Sequence, residues 1–115
     1  MEGQQTTRQL KVAREIQRDL AEIIRSKGMV AYSGAMVTVS GVKISPDLAQ
    51  ARVYVSIFPS AKAGEVMAKL EEENRKLRGE LGRMVAKQLR IVPELTFALD
   101  DSLDYVEHID ELLRK

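Results

Sequence analysis

Residues 36–57 read MVTVSGVKISPDLAQARVYVSI, a pattern that predicts two β-strands joined by a turn. The first ten of these residues are rich in β-branched side chains, which favour strands. Gly41 shifts the apolar side chains from odd to even positions, as a β-bulge does. Ser45-Pro46-Asp47 supplies turn chemistry, and residues 53–57 then alternate apolar with polar side chains. We therefore expect an antiparallel strand pair that ends at Pro59.

Helical periodicity flanks this pair on both sides. Apolar residues at helical spacing predict a first helix over residues 7–27, and the glycines of residues 28–35 predict a loop after it. A longer helical pattern runs from about residue 62 to residue 89. Asn74 occupies a position where its apolar stripe needs an apolar side chain, so we expect the helix to bend there. Replacing Asn74 with Leu is expected to straighten the helix at little cost in stability.

The rest of the chain completes one α+β domain. Pro93 ends the long helical pattern, and residues 95–99 alternate as a third strand. A last, acidic helix is predicted at about residues 102–113. With 115 residues, the chain is long enough for one ordinary domain, which we place at residues 7–115 after a flexible N-terminus at residues 1–6.

Composition excludes several classes of protein. The chain has no cysteine, which rules out thiol catalysis, zinc fingers, iron–sulfur clusters and disulfide scaffolds. No apolar run approaches the roughly 20 residues that a membrane span needs. The first residues lack the apolar stretch of a secretory signal, so we expect a cytoplasmic protein with no membrane partner.

Charge is divided unevenly along the chain. The formal net charge is +1, but residues 91–115 hold seven acids and two bases, so that segment carries −5 and the remainder +6. The first helix has a basic front, and residues 75–90 contain six bases against one acid, Glu80. Phosphate recognition needs such clusters on a rigid element, whereas any solvated helix face also shows charged residues. From charge alone, both interpretations remain open.

Two glycines add to the signal in the basic half of the long helix. Gly79 and Gly82 lie away from its apolar stripe, near Arg75 and Arg83. Because glycine costs about 1 kcal/mol in a helix interior, the pair indicates that something approaches the backbone closely there.

Residues suited to catalysis are few. His108 is the only histidine and falls in the predicted acidic helix, where we interpret it as a polar side chain exposed to solvent. Asp100 and Asp101 stand where a helix N-terminus favours anionic caps. The chain has no P-loop, no dinucleotide-binding glycine motif and no His-Glu metal motif. We therefore expect no enzymatic activity, catalytic residue, metal, cofactor or small-molecule substrate.

Three motifs in order identify a family resemblance. They are Thr38-Val39-Ser40-Gly41-Val42, Ser45-Pro46-Asp47-Leu48-Ala49 with Ala51-Arg52-Val53-Tyr54-Val55-Ser56, and Leu89-Arg90-Ile91-Val92-Pro93-Glu94-Leu95-Thr96-Phe97. Together they resemble the ribosome-binding factor A family over roughly residues 7–103. The chain departs from that family at residues 73–75, where Glu73-Asn74-Arg75 replaces an Ala-x-Gly kink, and in the loop that starts at Gly28.

The resemblance implies a fold and a function. The implied fold is a type II KH-like domain with the order helix, strand, strand, kinked helix pair and strand, and with the helices on one face of a three-stranded sheet. The implied function is that of a bacterial ribosome biogenesis factor, which binds the free small (30S) subunit and its rRNA. Such a factor promotes late maturation and 5′-end processing of 16S rRNA. We expect it to be a monomer.

Taken together, charge and resemblance predict RNA-binding residues on two helices, with the helix kink at Asn74. In the KH-like arrangement the two helices lie side by side, so we expect one continuous basic surface. The alternative is a small α+β protein-interaction or regulatory module, which uses its acidic tail or a sheet edge and has no RNA role. The predicted phosphate contacts are Lys11, Arg14, Arg18, Arg75, Arg78, Arg83, Lys87 and Arg90.

Overall fold

A computed structural model describes residues 6–85 and 92–100. It confirms the predicted order of helix, strand, strand, broken helix and strand. The predicted acidic helix at about residues 102–113 lies outside the described residues, as do Lys87 and Arg90. Within the described residues, the three helices and three strands are α1 (Thr7–Lys27), β1 (Met36–Ile44), β2 (Gln50–Phe58), α2 (Ala63–Glu72), α3 (Asn74–Val85) and β3 (Glu94–Leu99).

The three strands form one mixed sheet in the order β1-β2-β3. β1 and β2 pair antiparallel, as predicted, and the register shifts between Val39 and Gly41, which confirms the bulge. β3 pairs parallel to β2. A parallel neighbour requires a long crossover connection, and α2 with α3 provides most of it. The crossover therefore brings α3 back over the sheet beside α1, which it contacts.

The helices cover one face of the sheet. Val53 and Val55 of β2 are fully buried on that face, packed in a core with apolar side chains of all three helices. Arg52 and Tyr54 alternate with them and point to the opposite face, where they are exposed and half-buried. One-sided burial is what the alternating pattern of the strands predicts. It leaves a second face of the sheet with no helix on it among the described residues.

Side chains of α1 bind the outer strand β1. The Nε2 of Gln9 donates to the carbonyl of Ile44 at 2.9 Å, and the Nε2 of Gln17 donates to the carbonyl of Val39 at 3.3 Å. Gln9 also forms a capping box with Thr6, in which each side chain accepts a hydrogen bond from the other's backbone N–H. Gln9 thus fixes both the start of α1 and its position on β1.

The predicted loop at residues 28–35 contains one turn of 3-10 helix, Met29–Tyr32. The turn buries the ring of Tyr32, whose hydroxyl has no hydrogen-bond partner within the described part of the chain. One carboxylate oxygen of Glu73 and one of Glu80 are likewise buried without a hydrogen-bond partner there. Burial, and secondarily the charges of these two carboxylates, raise the pKa of Tyr32 to about 12. The loop therefore contributes Tyr32 to the core, although its sequence has no periodicity that would indicate burial.

We expect Tyr32→Phe to change how stability depends on alkaline pH. The folded chain holds the phenol proton up to about pH 12, whereas the unfolded chain releases it near pH 10, so this contribution to stability is complete below pH 10 and is lost as pH rises toward 12. Urea unfolding of the Phe variant should show a smaller loss over this range and no loss of stability at pH 7, because it removes an unpartnered hydroxyl. Tyr54→Phe, at a half-buried tyrosine, is the control. An identical alkaline loss in wild type and Tyr32→Phe would contradict the prediction.

Candidate nucleic-acid interface

The long helical segment is broken at the predicted place. α2 ends at Glu72, α3 begins at Asn74, and Glu73 lies between them with φ −94° and ψ 6°. The Nδ2 of Asn74 donates to the carbonyl of Leu95 in β3 at 2.9 Å. Asn74 thus has a direct bond to the sheet, which argues against the expectation that Leu could replace it at little cost in stability. When a half-buried carbonyl loses its hydrogen-bond donor, the free energy of unfolding falls.

Arg78 binds the same edge of the sheet one turn further along α3. Its Nε donates to the carbonyl of Pro93 at 3.0 Å, and its Nη2 donates to the carbonyl of Val92 at 2.6 Å. A guanidinium has five N–H donors, so the remaining ones stay available to a ligand. Arg78 therefore joins the start of β3 to α3 and also presents positive charge beside it.

A cleft of about 710 Å³ lies between α3 and this edge of the sheet. Arg75 and Arg78 line it together with both helix glycines. A Cβ on Gly82 would meet the Cγ2 of Val92 at 3.2 Å, so the close neighbour predicted for this glycine is the chain itself. A Cβ on Gly79 would meet no atom of the described residues within 4 Å. The α3 backbone is therefore accessible at Gly79. The other residues that line the cleft are Glu71, Glu72, Asn74, Val92, Glu94 and Leu95.

The basic residues predicted on α1 are all exposed. Lys11, Arg14 and Arg18 project away from the core, as helical periodicity predicts. The Nη2 of Arg18 lies 2.6 Å from a carboxylate oxygen of Glu15, and its Nε lies 3.4 Å from one of Asp19. The hydrogen bond and charge of Glu15, with a smaller effect of Asp19, raise the pKa of Arg18. Arg18 thus stays protonated, with part of its charge balanced locally.

Acidic side chains lie among the basic residues of α1. Gln17 bonds to β1, and Glu15 and Asp19 lie on the opposite side of the helix axis. Lys27 of α1 contacts Glu80 of α3 at 3.3 Å. The two helices are in contact, as predicted, and one continuous basic surface stays a prediction. We call the basic residues of α1 and those of α3 the two basic stripes.

The remaining residues considered for catalysis or capping follow β3 in the sequence. His108 and Asp101 lie outside the described residues, and Asp100 follows directly after β3. Among residues 6–85 and 92–100, no group of three or more His, Cys, Asp or Glu side chains is placed to hold a metal ion. None of the helices in the described part of the chain has the length and apolar character that a bilayer-spanning helix needs.

The bonds from Asn74 and Arg78 to β3 are the features that sequence reasoning missed. In the sequence Asn74 stands out only because it interrupts an apolar stripe, and Arg78 only as a positive charge. Their acceptors are backbone carbonyls 14 to 21 residues further along the chain. Every residue has such a carbonyl, so no sequence signal marks the ones that will be bound.

The element order and sheet topology define the class of protein. A helix, an antiparallel strand pair, a broken helix and a parallel third strand, with all helices on one sheet face, make an α+β domain of the type II KH-like kind.

Comparison with known proteins identifies the family within that class. The family model described as ribosome-binding factor A matches residues 8–113. Ribosome-binding factor A of Flavobacterium psychrophilum is 42% identical over 95% of this chain and 85% of its own length. The crystal structure of the Thermus thermophilus factor matches with a TM-score of 0.68 and 26% identity, over 79% of this chain and 94% of that one. The chain therefore belongs to the ribosome-binding factor A family.

A second structural match comes from a relative in an assembly. It is a homology model of the Thermus thermophilus factor, fitted into a cryo-electron microscopy map of a complex with the 30S subunit. It matches this chain with a TM-score of 0.63 and 27% identity, over 77% of this chain and 91% of that one.

Asn74→Leu tests the bond between α3 and β3. We expect the variant to lose about 1 to 3 kcal/mol of unfolding free energy, because the carbonyl of Leu95 loses its donor. Lys76→Leu makes a similar polar-to-apolar change at an exposed position of α3 and should stay within about 0.5 kcal/mol of wild type. Chemical unfolding measures both values. Equal stability of the two variants would show that the bond contributes nothing.

Proposed function

We propose that this protein binds the free small ribosomal subunit through its rRNA and promotes late maturation and 5′-end processing of 16S rRNA. It acts in the cytoplasm as a monomer, without a cofactor and without catalysing a reaction itself. The proposal rests on membership of the ribosome-binding factor A family and on the 30S complex of the Thermus relative. The observation in this chain that carries it is the cleft beside α3, where two arginines flank an accessible helix backbone.

The α3 side of the cleft supports RNA as the ligand, since both arginines lie there, whereas the acids that line the cleft belong to the end of α2 and the start of β3. Arg75 is exposed, and Arg78 keeps free N–H donors after its two bonds to β3. Guanidinium groups suit phosphate because they bind it with paired donors. Gly79, which follows Arg78, lets a sugar–phosphate backbone approach the helix more closely than any side chain would permit. We assign the remaining phosphate contacts to Arg83 and Lys87, to Arg90, and to the α1 stripe of Lys11, Arg14 and Arg18.

The state of the sheet edges argues against the alternative, a protein-interaction module that uses an exposed strand. Strand addition needs free N–H and carbonyl groups at an edge. Here α1 binds carbonyls of Val39 and Ile44 in β1, and α3 binds that of Leu95 in β3 and those of Val92 and Pro93 just before it. This arrangement favours a ligand that binds the helices.

Loss of one phosphate contact should weaken binding to free 30S subunits and reduce its dependence on salt. For Arg75→Ala and for Arg83→Ala, we expect the slope of log K against log salt to become shallower by roughly 0.7 to 0.9. Lys43→Ala removes the same charge from the opposite face of the sheet and should leave the slope unchanged. Co-sedimentation across a salt series measures the slopes. If Arg75→Ala and Arg83→Ala kept the same slope as Lys43→Ala, the RNA would bind elsewhere on the molecule.

Gly79→Ala tests whether RNA must approach the backbone of α3 closely, because the change does not weaken the helix. Alanine favours a helix interior by up to about 1 kcal/mol and meets no described atom at this position, so the variant should be at least as stable as wild type. We nevertheless expect weaker 30S binding and, in cells that depend on the variant, more 16S rRNA with an unprocessed 5′ end in primer extension.

Gly64→Ala is the matched control for that change. Gly64 lies in α2 and is equally open, but it is not part of the cleft. This variant should restore processing fully. If Gly79→Ala restores it equally well, the cleft is not where RNA approaches the chain.

A further inference from the structure

A second cavity, of about 340 Å³, lies between α1 and the start of β1. Ala21 and Arg25 of α1 line it, and so do Met36 and Val37 of β1. It shares no lining residue with the cleft beside α3. The cavity is therefore a separate site, which the rRNA contacts proposed above do not use.

The cavity exists because the bonds between α1 and β1 stop one helical turn short. The helix and the strand run in opposite directions, since the later helix residue binds the earlier strand residue: Gln9 binds Ile44, and Gln17 binds Val39. Four further residues of a helix advance about 6 Å, and two residues of a strand advance about 6.7 Å. This step brings Ala21 opposite Val37, and the alanine side chain is too short to reach the strand.

Val37 consequently offers two backbone groups at the cavity. In an antiparallel pair the N–H and carbonyl of a residue point to the same side, and that side alternates along the strand. Gln17 binds Val39 from the side away from β2, and the register is regular from Met36 to Val39, so Val37 also points away from β2. No side chain or loop of the described residues bonds to either group of Val37.

The surface at this cavity is apolar and has no free charge. Residues 28–42 contain no Asp, Glu, Lys or Arg, in a chain of which 30% of the residues are charged. Among the described residues that line the cavity only Arg25 is charged, and Glu22 pairs with it at 2.6 Å. Large apolar side chains in and beside residues 28–42 are at least half exposed, and they are Met29, Val30, Met36 and Phe58.

This composition favours a protein over RNA as the occupant. A surface without free positive charge has little to attract phosphate. Methionine and aromatic side chains with few charges are instead typical of the centre of a protein interface. The outward N–H and carbonyl of Val37 also match the two groups that a peptide backbone offers. Because Gln17 already occupies the next outward carbonyl, that of Val39, only a short segment fits, and not an added strand.

We propose that this cavity binds a short, uncharged apolar segment of a protein of the small ribosomal subunit. An apolar side chain of the segment fills the cavity, and its backbone exchanges hydrogen bonds with Val37. The cavity is at the lower end of the size of ligand pockets, roughly 300 to 1,000 Å³, which suits a short segment. The inference rests on the proposed function, because the partner belongs to the 30S subunit, and it adds a protein contact to the rRNA contacts.

Photo-crosslinking to purified 30S subunits tests the class of the partner. Val30→p-benzoylphenylalanine places the reactive group beside the cavity at a position that is 90% exposed, so the fold is kept. We expect an adduct that survives ribonuclease and contains peptides of a 30S protein by mass spectrometry. Arg75→p-benzoylphenylalanine, in the cleft beside α3, should instead give an adduct with rRNA.

The two labelled positions separate the two proposals. An rRNA adduct at position 30, or no adduct there while position 75 still crosslinks to rRNA, would overturn the protein contact and leave the proposed function standing. Failure of the wild-type chain to co-sediment with 30S subunits would reject the proposed function and this inference with it.

Ala21→Gln closes the cavity and removes no group from it. The longer side chain should donate to the carbonyl of Val37, as Gln17 does to that of Val39, so the variant should be at least as stable as wild type in chemical unfolding. We expect binding to 30S subunits to weaken about tenfold, because one apolar side chain can no longer be buried. The slope of log K against log salt should stay unchanged, since no phosphate contact is lost.

Ala68→Gln is the matched control. It makes the same substitution at an exposed position of α2 that lines neither the cavity nor the cleft, and it should bind as wild type does. Equal binding by both variants, or a shallower salt slope for Ala21→Gln alone, would reject the proposed docking of a protein segment.

Discussion

The hydrogen bonds from α3 to the outer edge of β3 are the constraint on which the rest of this domain depends. β3 is the last described strand and lies parallel to β2, so the turn of a hairpin cannot set its position. Asn74 binds the carbonyl of Leu95 in β3, and Arg78 binds the carbonyls of Val92 and Pro93 directly before the strand. The same bonds place the first turns of α3 against the sheet and so determine where its arginines and glycines face.

Helix side chains bind both outer strands of the sheet. Exposed strand edges pair readily with other chains. In this domain Gln9 and Gln17 occupy carbonyls of β1, and Asn74 of α3 occupies that of Leu95 in β3. Unintended pairing at these positions is thereby discouraged.

On the helix side of the domain, several basic side chains are paired with acidic neighbours, which the net charge does not reveal. Arg18 pairs with Glu15, Arg25 with Glu22 and Lys27 with Glu80, so much of the charge on α1 is balanced locally. The guanidinium groups of Arg18 and Arg25 are largely exposed, and ion pairs of this kind contribute little to stability. Arg75 borders the cleft beside an accessible backbone, which makes α3 the better-defined of the two basic stripes.

Local patterns alone were enough to predict α1, the strand pair with its bulge, the break near Asn74 and the third strand. Each depends on side-chain periodicity or on the backbone preferences of glycine and proline, which act over a few residues. Only the tertiary structure decided the parallel pairing of β3, the burial of Tyr32, the contact of Lys27 in α1 with Glu80 in α3, and the function of Asn74 and Arg78 as donors to β3 and the residues just before it. These features depend on which backbone groups and helix flanks meet after long-range folding, and every residue has the same carbonyl group, so the sequence carries no mark of them.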